Sequence, residues 1–158
     1  MKLKGIIEED FVNYKKPSLV LMFPYCSFKC DKEAGIKICQ NSELTLSPNI
    51  EIGYYDLLKR YEKNPITRGV VCSGLEPFDS KELYDFINYF RKFNSDVIVI
   101  YTGYTEQEVK EKFSWIFLPH YKNIVIKFGR FIPNDEFHYD EILGVQLASS
   151  NQYAKRIS

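Results

Sequence analysis

Three cysteines follow a short apolar segment in the first quarter of the chain. Cys26, Cys30 and Cys39 come after the apolar residues 18–23. Each iron of a cubane 4Fe-4S cluster takes one terminal thiolate, so three cysteines can hold three irons and leave the fourth iron open. A cluster used only for electron transfer, or a closed structural zinc site, usually has four protein ligands. The cysteines therefore predict a cluster with one iron available for chemistry.

A second segment with candidate chemistry reads Ser-Gly-Leu-Glu-Pro at residues 73–77 and follows the apolar residues 69–72. By itself, this pattern is compatible with an ordinary turn between a strand and a helix. Beside a cysteine-bound cluster, we expect Ser73 and Gly74 to contact a cofactor. Glu76 belongs to the same candidate site and is predicted to organise the turn through hydrogen bonds.

Six segments form a consistent pattern when they are taken in order along the chain. They are residues 8–13, residues 19–23, the cysteine loop ending in Cys39-Gln40-Asn41, residues 73–77, residues 101–104 and residues 148–152. Together they resemble the radical S-adenosylmethionine (SAM) activases of the anaerobic, class III ribonucleotide reductase. That family has cysteines in the pattern C-x3-C-x2-C, a turn close to Ser-Gly-Gly-Glu-Pro, and a Ser-Ser-Asn-Gln string near the C-terminus. The resemblance covers nearly the whole chain.

The chain departs from the family pattern mainly in its cysteine loop. Eight residues separate Cys30 from Cys39 where the family has two, because residues 31–38 form a charged excursion. An insertion of this size adds little to the entropy of loop closure, which grows only logarithmically with length. Positions that are usually glycine, aromatic, histidine and glycine in the family are here Tyr25, Ile38, Gln40 and Leu75.

The resemblance implies a chemistry and a set of residues that carry it. Cys26, Cys30 and Cys39 would hold a 4Fe-4S cluster that binds S-adenosyl-L-methionine and cleaves it reductively to methionine and a 5′-deoxyadenosyl radical. The radical would take a hydrogen atom from a glycine of the large anaerobic ribonucleotide reductase subunit, and flavodoxin or ferredoxin would supply the electron. The other implied cofactor contacts are Ser73 and Gly74 at the methionine amino group, Ile38 and Gln40 near the adenine, Tyr101 and Thr102 near the ribose, and Glu76 in the same turn.

Composition and charge limit the classes of function. The chain has 158 residues, which predicts a single radical SAM domain over 1–158. Its 21 basic and 21 acidic residues give a net charge of zero, so no surface for nucleic acid or an anionic membrane is expected. No apolar run approaches the ~20 residues that span a bilayer, and the N-terminal segment is unlike a secretory signal. We expect a cytoplasmic enzyme.

Strands and helices are predicted to alternate along the chain. Short apolar runs rich in β-branched residues predict buried strands at 18–23, 69–72, 96–101 and 123–128. Helical spacing of apolar residues predicts a helix at 52–63. Capping pairs predict two more: one that begins at Asp79, paired with Glu82, and runs to Phe93, and one that begins at Thr105, paired with Glu108, and ends near Phe113. Alternation of this kind predicts an α/β fold with a mainly parallel sheet. With the resemblance, it indicates an open partial (βα) barrel of the radical SAM type. Loops after the strands would gather at one edge, and the segment after Gly129 is predicted to be irregular.

Two other functions are compatible with the sequence. One is a radical SAM enzyme that acts on a small molecule, similar to 7-carboxy-7-deazaguanine synthase, because cluster loops can also be enlarged in such enzymes. The other is a noncatalytic module that binds iron-sulfur or zinc. The fourth cysteine, Cys72, ends an apolar run and is predicted to pack as a small buried hydrophobe and not to bind metal.

Overall fold

The structure is a computed structural model that describes residues 1–158. Its strands are β1 (Lys2–Leu3), β2 (Gly5–Asp10), β3 (Ser18–Phe23), β4 (Ile50–Glu51), β5 (Gly69–Gly74), β6 (Val97–Tyr101), β7 (Ile124–Phe128), β8 (His138–Asp140), β9 (Val145–Leu147) and β10 (Tyr153–Arg156). Its helices are α1 (Lys29–Ala34), α2 (Tyr54–Lys63), α3 (Lys81–Phe90) and α4 (Glu106–Lys112). No helix is both long enough and apolar enough to cross a membrane.

A six-stranded sheet with the order β10-β7-β6-β5-β3-β2 forms the centre of the fold. Strands β3, β5, β6 and β7 are parallel, which confirms the four predicted strands and the mainly parallel sheet of an α/β fold. The two edge strands, β2 and β10, are antiparallel to their neighbours. The segment after Gly129 is irregular as far as residue 137, as predicted, but beyond it the prediction is wrong, because β8 pairs with β9 and β10 joins the sheet.

The two faces of the parallel strands have different neighbours. One face packs against α2, α3 and α4 in a large apolar core, to which alternate strand residues such as Leu21, Cys72 and Ile100 contribute. Burying an aliphatic or aromatic side chain of this kind contributes about 1.5–3 kcal/mol. Cys72 is fully buried on this face, as predicted.

The opposite face is covered only in part. Residues such as Val71, Val99 and Val125 form a smaller cluster there with Leu143 and Leu147 from the β8 and β9 region. The next residues along the same face, toward the carboxyl ends of the strands, include Met22, Tyr101 and Lys127, and these line a cavity. The fold thus leaves the carboxyl ends of the parallel strands accessible on this side.

The helix boundaries agree with the sequence pattern except at α3. The capping box before α4 is confirmed: the Glu108 amide donates to Thr105 Oγ1 at 3.2 Å, and the Thr105 amide donates to Glu108 Oε2 at 2.9 Å. The predicted box of Asp79 with Glu82 is wrong, because α3 begins after Ser80 and ends at Phe90. The Asp79 carboxylate instead accepts hydrogen bonds from the Ser27 amide at 2.7 Å and the Tyr104 hydroxyl at 2.6 Å.

Candidate functional site

A cavity of about 570 Å³ lies at the carboxyl ends of the parallel strands. Its volume is within the range of small-molecule sites, which is about 300–1,000 Å³. Segments that are far apart in sequence contribute to its wall: the cysteine loop after β3, the turn after β5, the residues at the ends of β6 and β7, and the segment before β10. Ligands of open parallel sheets bind at this edge, because the loops after the strands meet there.

The cavity brings together nearly all of the predicted site residues. Those that line it are Cys26, Cys30, Cys39, Gln40, Ser73, Gly74, Glu76 and Thr102, with Tyr101 beside them. Ile38 is the exception. It lines a smaller neighbouring cavity of about 340 Å³, together with Arg130 and Phe131. The excursion before Cys39 directs the Ile38 side chain away from the main cavity, which sequence spacing could not indicate.

The local conformation of the cysteine loop depends on two residues with positive φ. Phe28 has a φ of 52° immediately before α1, and Gly35 has a φ of 69° immediately after it. Between these two residues α1 forms a short helix that the sequence pattern did not predict. The Cys26 sulfur accepts a hydrogen bond from the Phe28 amide at 3.2 Å, so the first cysteine is fixed at the point where the chain enters this helix.

The three thiols are not arranged around one point, and two of them have raised pKa values. Burial raises the pKa of the Cys26 thiol to about 12, and burial together with the charge of Cys39 raises the pKa of Cys30. No group of three or more His, Cys, Asp or Glu side chains is positioned to bind a metal ion. Metal binding would require the three sulfur atoms to converge and the thiols of Cys26 and Cys30 to release their protons. Three thiol donors in one cavity are chemically suited to an iron-sulfur cluster.

The turn after β5 requires glycine at position 74. Gly74 has a φ of 89°, and a Cβ atom there would lie 2.8 Å from both Met22 Cα and the Phe23 nitrogen. Leu75, at the position of the second family glycine, has no positive φ and is not strained in this way. The Asn41 side-chain amide donates to the Gly74 carbonyl at 2.7 Å, which connects the cysteine loop to the turn.

Glu76 organises this turn, as the sequence predicted. Its carboxylate accepts hydrogen bonds from the Thr102 hydroxyl at 2.8 Å, the Gly103 amide at 2.9 Å and the Phe78 amide at 3.2 Å. Burial nevertheless raises the pKa of Glu76 to about 7, and these hydrogen bonds oppose the effect of burial. The end of β6 is thereby joined to the end of β5 beneath the cavity.

Lys127 is a cavity residue that sequence reasoning missed. It lies in β7, it is only 7% exposed, and its Nζ atom donates to the Gly129 carbonyl at 2.8 Å. Burial lowers the pKa of Lys127 to about 8, and the charge of Glu76 acts in the opposite direction. The available signal was a lysine within an otherwise apolar predicted strand. A buried ammonium that makes one hydrogen bond favours an anionic group nearby.

Gln152, the last residue of the Ser-Ser-Asn-Gln string, also lines the cavity. Its side chain accepts a hydrogen bond from the Ala148 amide at 3.1 Å and donates to the Gly129 carbonyl at 3.3 Å. Asn151 donates to the Arg130 carbonyl at 2.9 Å. The string therefore fixes the loop that follows β7 and is not a free polar tail.

Comparisons with protein-family models, with curated proteins and with solved structures found no match. The most informative fact is that the three cysteines and the Gly74 turn share one cavity.

Proposed function

We propose that this chain is an iron-sulfur radical SAM enzyme that generates a glycyl radical on anaerobic ribonucleoside-triphosphate reductase. The observation that carries the proposal is the shared cavity, in which Cys26, Cys30 and Cys39 meet Gly74 and Thr102 at the carboxyl edge of a parallel sheet. An open partial barrel of the radical SAM type would have its cofactors at this edge. The six partial sequence matches support the same family.

The three cysteines would ligate a 4Fe-4S cluster, which when bound supplies the electron that cleaves S-adenosyl-L-methionine to a 5′-deoxyadenosyl radical. Backbone groups of Ser73 and Gly74 would receive the methionine amino group. Gln40 would face the adenine and Thr102 the ribose. Ile38 faces the neighbouring cavity, so the adenine contact predicted for it is not part of this proposal.

Several residues of the chain would keep the reaction apart from water. Val20, Met22 and Leu147 present apolar surface to the cavity. Beneath them, Glu76 holds the ends of β5 and β6 together through its three hydrogen bonds. Apolar surface and a fixed turn would limit side reactions of a radical and preserve the orientation of the bound cofactor.

A small-molecule radical enzyme is the second candidate, and Lys127 is the observation that favours it. An ammonium this buried beside the cavity would suit a carboxylate or another anionic group on a small substrate. Glycyl-radical activation has a macromolecular substrate and does not by itself require such a group. The radical acceptor therefore distinguishes the two candidates.

Anaerobic reconstitution with iron and sulfide tests the proposed chemistry. We expect the loaded chain to show a 4Fe-4S electron paramagnetic resonance (EPR) spectrum that changes on addition of S-adenosyl-L-methionine, and to form 5′-deoxyadenosine under reducing conditions. An unchanged spectrum without 5′-deoxyadenosine would contradict both radical functions and leave the noncatalytic module. A glycyl-radical signal after incubation with the large reductase subunit would support activation, whereas its absence despite cofactor cleavage would favour a small substrate.

Two cysteine variants provide a matched comparison of ligands. Cys39→Ala should bind much less iron after reconstitution, because it removes one of the three thiols of the cavity. Cys72→Ala should retain the cluster, because Cys72 is fully buried in the core among the helices. Iron and acid-labile sulfide per chain are the measurements. Full retention in Cys39→Ala would show that the assigned ligand set is wrong.

A further inference from the structure

The excursion of residues 31–38 forms a closed loop. Helix α1 forms its first half, and Gly35 reverses the chain with a φ of 69°. The return segment comes back to Asp31, whose Oδ1 atom accepts hydrogen bonds from the amides of Ile38 and Cys39, both at 2.8 Å. One carboxylate oxygen therefore closes the loop on itself.

This closure brings the second and third cysteines to neighbouring positions. Asp31 is adjacent to Cys30 in sequence, and its Oδ1 atom lies 3.9 Å from the Cys30 sulfur. The same oxygen accepts the hydrogen bond from the Cys39 backbone amide. Both sulfur-bearing residues line the main cavity despite the eight residues between them. An interval of eight residues thus leaves the two cysteines on either side of a single carboxylate.

The first half of the excursion is held independently of Asp31. Arg130 pairs with Glu33 at 3.2 Å and with Glu108 at 2.9 Å, and Lys29 also pairs with Glu108. These ion pairs attach α1 to α4 and to the loop after β7. The return segment, in contrast, has the backbone amides of Ile38 and Cys39 tied to Asp31, and the next side-chain anchor along the chain is Asn41 on the Gly74 carbonyl.

We propose that Asp31 is a positioning residue that places Cys39 beside Cys30, and that it does for this long loop what a two-residue interval does in the family pattern. It acts mainly through the Cys39 backbone, and its Oδ1 atom also contacts the Cys30 sulfur at 3.9 Å. The role of Cys39 as an iron ligand rests on the proposed function. The placement of Cys39 does not depend on it and can be tested without metal.

Disulfide formation in the metal-free chain measures this placement. Diamide oxidises two thiols to a disulfide, and a Cys26→Ser background leaves Cys30 and Cys39 as the accessible pair. We expect Asp31→Ala to slow the Cys30–Cys39 disulfide about tenfold, because hydrogen bonds to a charged group are each worth enough to change an equilibrium by that factor. Mass spectrometry after alkylation of the remaining thiols gives the rate.

Asp31→Asn is the matched control, because asparagine keeps the accepting oxygen and loses the charge. We expect its rate to lie between those of the parent chain and Asp31→Ala, because a neutral amide oxygen accepts weaker hydrogen bonds than a carboxylate. A loss equal to that of Asp31→Ala would assign the effect to charge and overturn the proposal. Glu43→Ala, which changes an exposed acid in the same part of the chain, should have no effect. Equal thermal midpoints by circular dichroism would show that all variants fold alike.

Iron content connects the placement with the proposed function. After reconstitution, Asp31→Ala should lose iron to a chelator faster than the parent chain or Asp31→Asn. Equal disulfide rates in all three chains would overturn the inference whatever the iron content. If Asp31→Ala slows the disulfide but the parent chain binds no iron, the placement by Asp31 is supported and the proposed function alone is refuted.

Discussion

Replacing Glu76 with glutamine should change how the stability of the chain depends on pH. Burial raises the pKa of Glu76 to about 7 from an ordinary value of 4.5, although hydrogen bonds from Gly103, Thr102 and Phe78 oppose the change. One pKa unit corresponds to about 1.4 kcal/mol, so the difference corresponds to about 3 kcal/mol.

The direction of the effect follows from proton binding. Between pH 4.5 and about 7, the folded chain keeps a proton on Glu76 that the unfolded chain has released. The stabilising contribution is therefore complete below pH 4.5 and is lost as the pH rises through about 7. In the parent chain, this group should lower the free energy of unfolding by about 3 kcal/mol across that window.

Urea denaturation followed by circular dichroism, at several pH values from about 5 to about 8, measures this contribution. Glu76→Gln should lack this decrease in the free energy of unfolding with rising pH. At low pH the variant should be less stable than the parent chain, because its side-chain NH2 group would face the Gly103 N–H. The test is therefore the difference in slope between the two chains. Glu43→Gln, at an exposed position, should follow the parent chain. Parallel profiles for the parent chain and Glu76→Gln would refute the reasoning.

Two further substitutions test the wall of the cavity. Gly74→Ala should cost about 1–3 kcal/mol in urea denaturation, because alanine disfavours a φ of 89° and its Cβ would lie 2.8 Å from Met22 Cα. Gly103→Ala is the matched control, since a Cβ there meets its nearest atoms at 3.6 and 3.7 Å, and equal losses in both would contradict the assignment. Lys127→Met should raise the free energy of unfolding at neutral pH by about 1–3 kcal/mol, because it removes a buried ammonium. Burial lowers the pKa of Lys127 to about 8 from 10.5, so the free energy of unfolding of the parent chain should rise as the pH increases through this window. If Lys127→Met is not more stable than the parent chain at neutral pH, the argument is refuted.

The central strands and the capping box at Thr105 could be predicted because their signals are local. Strands β3, β5, β6 and β7 are short apolar runs, and a capping box needs only residues four positions apart or fewer. The Asp79 pattern failed because tertiary partners, the Ser27 amide and the Tyr104 hydroxyl, take its carboxylate. No local pattern contains that information.

Other parts of the site could not be predicted because they depend on neighbours in space. Strand β2 carries exposed acidic residues, and β10 has only four residues, so neither shows the run of apolar residues that predicts a buried strand. The order of the strands places Lys127 beside the cavity, and lysine is seldom buried to this degree. Ile38 lines the smaller cavity, and its amide donates to Asp31 Oδ1 from the far side of an eight-residue excursion. For the strands and for Lys127, pairing between segments distant in sequence determines the position of the side chain.

The hydrogen bond from the Asn41 side chain to the Gly74 carbonyl links the cysteine loop to the turn after β5 across the cavity. A displacement of the cysteine loop must either carry the β5 turn with it or break this bond and leave the carbonyl to solvent. A change in the conformation of the cysteine loop should consequently alter the hydrogen bond at Leu75, whose amide donates to the Phe23 carbonyl at 3.1 Å. Hydrogen exchange at that amide would then report the state of a loop more than thirty residues away in sequence.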